Sequence, residues 1–176
     1  DTHTFIGASP DGIIVDETSP LFGRMLEIKN IVNREINGIP KEEYWIQMQV
    51  QMETCDLNEC DFLETRFYEY EDEDAFKDDG TFTTNEDGKL KGMMVCFMID
   101  KFPKYEYAPL YLSREENEKW VETTMNKYND GTWLKNIYWR LEEYSCVLVL
   151  RNKNWFDSVV PKIKDLWTII EKERID

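Results

Sequence analysis

Three short stretches near the start of this chain carry residue types that could act together on a phosphate ester. The first is the turn Ser9-Pro10-Asp11-Gly12. Proline, aspartate and glycine are all turn formers, so Asp11 taken alone is an ordinary turn residue. The second is Met25-Leu26-Glu27-Ile28-Lys29. Alternate side chains of a strand share a face. Glu27 and Lys29 are therefore expected to point one way, and Leu26 and Ile28 the other way, into the core. A carboxylate beside an ammonium group is, by itself, a surface ion pair. The third is Tyr44-Trp45-Ile46-Gln47-Met48-Gln49-Val50-Gln51-Met52. On a helix, Tyr44, Gln47 and Gln51 fall on one stripe, and Trp45, Met48 and Met52 on its apolar neighbour. An uncharged amide stripe can orient a water, a lysine or a phosphate. Each signal is weak alone. A carboxylate in a turn, Glu-x-Lys sixteen residues later, then a glutamine helix, is a far more specific combination.

That order is the layout of PD-(D/E)xK nucleases. The chain resembles the YqaJ-like viral recombinase (phage lambda exonuclease) family. The matching residues are Gly7-Ala8-Ser9-Pro10-Asp11-Gly12, Leu26-Glu27-Ile28-Lys29 and Tyr44-x-x-Gln47-x-Gln49. The likeness spans residues 4–70. Further on, Tyr138-Trp139-Arg140-Leu141 and Trp155-Phe156 resemble versions carried by large DNA viruses of eukaryotes.

The resemblance implies a metal-dependent deoxyribonuclease, acting 5′ to 3′ on double-stranded DNA ends in viral recombination or repair. It implies Mg²⁺, with Mn²⁺ as a substitute, held by Asp11, Glu27 and the carbonyl of Ile28, since hard oxygen ligands suit a hard cation. Lys29 would orient the attacking water and stabilise charge in the transition state. Gln47 would hold that water or Lys29, with Tyr44 and Gln51 behind it. Ser9 and Arg34 are the candidate DNA contacts. Family members carry a further acidic ligand on a helix upstream of the Asp-containing turn. The chain begins ten residues before Asp11 and lacks an initiator Met, so a part of a longer protein without its N-terminal helices is expected. A ring-shaped homo-oligomer and a single-strand annealing protein as partner are further implications of the family. Two other classes compete: an endonuclease using the same site, and a non-catalytic module that binds DNA ends or a partner.

The elements that must position these residues read as follows. Short strands are expected over Thr4–Ser9 and Gly12–Asp16, and a third over Met25–Ile31. Val32–Pro40 is a loop, with Arg34 in it. Pro40 is expected to open a helix that runs to Cys55. Asp61–Tyr70 reads as a long strand, and the acidic stretch Glu71–Leu90 as an exposed loop. Met93–Ile99 and Glu106–Leu112 read as strands. Ser113-Arg114-Glu115-Glu116 is a capping box that starts a helix reaching Tyr128. Ile137–Leu150 is strand-like. Asn152 or Asn154 caps a last helix, whose stripe Trp155, Val159, Ile163, Leu166, Trp167 and Ile170 is expected to pack in the core. Pro161 is expected to kink that helix or delay its start. The fold class is α/β or α+β, a central mixed sheet flanked by helices, in one nuclease domain spanning residues 1–176.

Composition sets the outer bounds. With 176 residues and 41% apolar content, the chain can bury a real core. No apolar run spans a bilayer and the opening residues are not a signal peptide, so no membrane partner is expected. Cys55, Cys60, Cys96 and Cys146 fit no zinc spacing and read as free thiols. An intracellular setting follows, and for a viral protein the host cytoplasm or viral factory. The net charge of −15 opposes non-specific binding along DNA and confines any DNA contact to a local patch.

Overall fold

The computed structural model describes residues 3–174. Six strands and four helices give a mixed α/β fold, as the sequence led us to expect. They are β1 (Gly12–Ile13), β2 (Met25–Asn30), α1 (Glu42–Thr54), β3 (Glu59–Glu69), α2 (Glu73–Asp78), β4 (Lys91–Ile99), β5 (Phe102–Tyr107), α3 (Arg114–Lys127), β6 (Thr132–Leu150) and α4 (Lys153–Glu173). The hydrogen-bonded strand order is β1-β2-β3-β6-β4-β5. The chain divides into two compact units. The first holds residues 1–64 and 144–176, the second residues 65–143. Strands β3 and β6 each begin in one unit and end in the other.

The first unit is built on a core of Met25, Met48, Met52, Cys60, Phe62 and Val149. These side chains come from β2, α1, β3 and β6, so α1 covers one face of its strands. Helix α1 starts at an N-cap, Lys41, with no side-chain cap. Pro40 therefore sits just before the cap and not at the first helical position. Glu42 and Glu43 in the first turn favour the positive end of the helix dipole. Gln49, buried in α1, donates to the Leu150 carbonyl at 3.0 Å and accepts from the Asn152 amide at 2.6 Å. It thus fixes the β6–α4 junction. Arg151 adds to that junction with bonds of 2.8 Å to both Glu53 and Asp56.

Several expectations are corrected here. Thr4–Ser9 is not a strand: it turns at His3–Ile6, and the Ser9 carbonyl accepts a side-chain bond in place of a ladder bond. The strand expected over Gly12–Asp16 ends at Ile13, because Asp16 turns the chain by accepting from the Thr18 amide and hydroxyl at 2.9 and 2.7 Å. Helix α4, capped by Asn152 through the Trp155 amide at 3.0 Å, runs through Pro161 without ending or starting late. The carbonyl deprived of its donor belongs to Asp157, which is exposed to water. Its stripe is not all core. Trp155 packs against Trp45 of α1, with ring centroids 5.0 Å apart, but Leu166 and Ile170 are 56% and 38% exposed. At 21 residues against 13, α4 outruns the helix it packs on.

The second unit has its own core of Tyr70, Phe76, Met93, Val95, Phe97 and Tyr138, with Trp120 and Val121 of α3 against it. The expected loop 71–90 contains α2, capped by Asp72 through the Ala75 amide at 2.8 Å. Lys91 is 2% exposed and donates to three backbone carbonyls around α2, those of Phe76, Asp79 and Thr81. Strand β5 lies earlier than expected. Asp100 and Lys101, both at positive φ, make a tight two-residue turn that returns the chain at Phe102. The capping box at Ser113 forms as expected, with both reciprocal bonds present.

Candidate functional site

Strand β2 carries the central carboxylate. Its alternation is as expected, but the sense is reversed. Met25 and Glu27 are buried on the face covered by α1, while Ile28 is 42% exposed. Alternation fixes which residues share a face, not which face is covered. Glu27 therefore lies at the buried end of the site, only 1% exposed. A buried carboxylate is costly unless paired and hydrogen-bonded. Both of its oxygens are served. Oε1 accepts from Lys29 Nζ at 2.5 Å and from Gln47 Nε2 at 2.7 Å. Oε2 accepts from Gln51 Nε2 at 2.8 Å. The two glutamines are one helical turn apart on α1, which explains how both reach one carboxylate.

Asp11 is brought to the same place by the short β1–β2 ladder, in which Gly12 pairs with Leu26. Its Oδ2 accepts from the Ile28 amide at 2.7 Å. Gln51 then ties the turn to the strand, because its Nε2 also donates to the Ser9 carbonyl at 3.0 Å. Asp11, Glu27, Lys29, Gln47 and Gln51 thus meet where β1, β2 and α1 converge. Tyr44 joins them: the Lys29 ammonium lies 5.2 Å from its ring centroid, and the Arg34 guanidinium 5.6 Å from it. A tyrosine face attracts both cations. Gln49, the third glutamine of the helix, is not at this site.

Arg34 is held by an ion pair with Glu64 and a bond to the Glu35 carbonyl at 3.1 Å. Glu64 is 0% exposed and was missed by the sequence reading. The signal was there: Cys60, Phe62 and Glu64 alternate on β3, so a carboxylate had to share the covered face. Nearby, burial raises the Cys60 thiol to about 12, with the Glu27 charge adding to the effect. This cysteine is thus an inert neighbour and not a nucleophile.

The donor set suits a hard cation. Among the described residues no three His, Cys, Asp or Glu side chains gather around an ion-sized gap. Two carboxylates suffice for Mg²⁺, which keeps several waters and takes the rest of its ligands from phosphate. One further atom fits. Gln51 Oε1 is buried without a protein partner, beside the Nε2 that contacts Glu27 and Ser9. A buried acceptor of this kind calls for an ordered water or ion. Also among the described residues, no helix is long and apolar enough to cross a membrane.

Comparison with known proteins falls on the same residues. Residues 1–58, which supply all of these groups except Glu64 and Cys60, match the family model of the YqaJ-like viral recombinase domain. The whole chain is similar to "Uncharacterized protein R354" of Acanthamoeba polyphaga mimivirus. The two are 34% identical over 203 aligned residues, covering 96% of this chain and 37% of that protein. This chain therefore spans little more than a third of its viral relative. Its site-bearing N-terminal part is thus similar to the YqaJ-like viral recombinase domain, and the chain to part of a protein of a large DNA virus.

Proposed function

We propose that the chain is the catalytic part of a Mg²⁺-dependent deoxyribonuclease that digests double-stranded DNA from its ends, 5′ to 3′, in recombination or repair of a viral genome. The observation that supports this reading is that Asp11 bonds to the Ile28 amide, between Glu27 and Lys29 in sequence, while Lys29, Gln47 and Gln51 hold the Glu27 carboxylate. Asp11 and Glu27 would hold the ion, with the Ile28 carbonyl as a further ligand. When bound there, Mg²⁺ or Mn²⁺ polarises the scissile phosphate and makes a water more acidic.

The chain's own groups supply the rest. Gln47 and Gln51 fix the Glu27 carboxylate, so that its remaining lone pair, on Oε2, would be available to the ion without reorganisation. Lys29, anchored on Glu27 and the Tyr44 face, presents its ammonium group to the charge that develops on the phosphate. Arg34, oriented by Glu64 and also beside the Tyr44 ring, adds a second positive charge and is the candidate contact to a neighbouring phosphate, with Ser9 in the Asp11 turn as another. The acidic surface confines DNA to this patch. A ring-shaped oligomer and an annealing protein are the partners that fit such an exonuclease.

The test is digestion of matched linear and closed circular duplexes, the linear one labelled separately at each 5′ and 3′ end. The expected result is Mg²⁺-dependent loss of the linear duplex from its 5′ ends, abolished by chelation, with the circle intact. Cutting of the circle would shift the assignment to an endonuclease. No cleavage of either by the complete protein would leave a non-catalytic binding module.

A further inference from the structure

Helix α1 contributes two fully buried glutamines, each 1% exposed, and they do different work. Gln49 spends its amide on the backbone of the β6–α4 junction. Gln51 spends both hydrogens of one NH₂ group on two separate elements: the Ser9 carbonyl at 3.0 Å and Glu27 Oε2 at 2.8 Å. Ser9 lies two residues before Asp11, across Pro10, whose ring fixes φ and stiffens the connection. On the other side of the turn, a short hairpin ties it to β2: the two-residue ladder of β1, then backbone bonds from Ile14 to Arg24 and from Gly23 to Ile14.

Resting on the nuclease reading above, we infer that Gln51 is the positioning residue that sets the spacing between the two metal-binding carboxylates, by clamping the Asp11 turn to Glu27 through a single amide. Without the clamp, Asp11 is held by its bond to the Ile28 amide and by that short hairpin. The turn then samples more positions, and the ion loses a preset pair of ligands. Groups that orient metal ligands typically contribute about 10–100-fold to affinity. Gln51 does not touch substrate in this account; it acts through Glu27 and Asp11.

Gln51→Met keeps the length of the side chain and removes both donors. Gln51→Asn keeps the amide but is one methylene short, so it reaches one acceptor at most. Gln49→Met is the control for loss of a buried amide elsewhere on the same helix. Two measurements on the full chain read the effect. The first is hydrogen exchange at the Ile28 amide in metal-free protein, which reports how firmly Asp11 is held. The second is titration with Mn²⁺ in the absence of DNA.

Both Gln51 variants should exchange Ile28 at least about tenfold faster than wild type, and bind Mn²⁺ about 10–100-fold more weakly. Gln49→Met should lower the melting temperature and leave both readings at wild-type values. Wild-type exchange at Ile28 in either folded Gln51 variant overturns the inference, as does an unchanged Mn²⁺ isotherm. If the wild-type protein itself binds no Mn²⁺, the nuclease reading falls, and Ile28 exchange alone then decides the role of Gln51.

Discussion

In each compact unit of this molecule a lysine is drawn out of full solvent exposure beside a ring, Lys29 in one and Lys91 in the other, and these two are held in opposite ways. In the second unit, Lys91 is 2% exposed. Its ammonium group donates to the carbonyls of Phe76, Asp79 and Thr81 and sits 4.0 Å from the Phe76 ring centroid. All of its donor capacity goes to backbone, and burial holds its pKa below the ordinary lysine value. In the first unit, the Lys29 side chain remains 22% exposed. Among the described residues its ammonium donates to Glu27 alone and has the Tyr44 ring beside it. A cation spent entirely on carbonyls organises a loop. A cation with one partner, a ring and an open flank has donors left for a ligand. Burial of a charge is thus no sign of function by itself; what remains unspent is.

A large expected effect on cleavage sharpens that contrast. Lys29→Ala should reduce Mg²⁺-dependent cleavage by about 10²–10³-fold, the usual loss when one transition-state donor is removed. It also takes a charged partner from the buried Glu27, so its melting temperature should fall, and the rate is read on folded protein below that midpoint. Cleavage at the wild-type rate would break the comparison at its functional end. Lys91→Met should do the reverse. It leaves three carbonyls without their donor and should cost about 3–5 kcal/mol in urea unfolding. A neutral result would mean that Lys91 is not the post around which α2 is built. Third, Gln47→Leu removes one of two amides on Glu27 and should lower the cleavage rate by roughly tenfold, a smaller loss than that of Lys29.

The smallest effect is electrostatic and lies in the second unit. Glu142 is held below the ordinary glutamate value by Lys89 first, at 2.8 Å, and then by Arg140 at 2.7 Å. A carboxyl whose folded pKa is depressed contributes stability above its unfolded value of 4.5, and loses it as pH falls through the folded value. Glu142→Gln should therefore flatten the acid side of the stability curve below pH 4.5. As the side chain is 31% exposed, the change should stay under about 1 kcal/mol. Urea midpoints at neutral and acid pH give the slope; an unchanged slope would remove this ion pair from the acid response.

How far the sequence revealed this molecule depended on the range of each interaction. Local chemistry was readable. The capping box at Ser113, the Asn152 cap, the Asp11 turn and the pairing of Glu27 with Lys29 all lie within a few residues of their partners. Tyr44, Gln47 and Gln51 were legible as one stripe because helical periodicity is local too. What escaped needed a third dimension. The covered face of β2 is set by α1, so Glu27 and not Ile28 is the buried member. Gln49 looks like its neighbours Gln47 and Gln51, yet its partners are about a hundred residues away. Glu64 meets Arg34 across thirty residues of sequence. Lys91 gives no hint in its own segment that it is buried, since the carbonyls it serves belong to a stretch that reads as a polar loop. The Asp100-Lys101 turn lacks the glycine that usually marks a tight hairpin, so β5 was placed too late.

Cleavage by the Glu27→Gln variant tests the central claim most directly. The substitution preserves shape and removes the charge that three side chains converge to hold. On an end-labelled linear duplex in saturating Mg²⁺, the folded variant should lose about 10³-fold or more of the wild-type rate. A folded Glu27→Gln protein that digests the duplex as fast as wild type would contradict the assignment of this site.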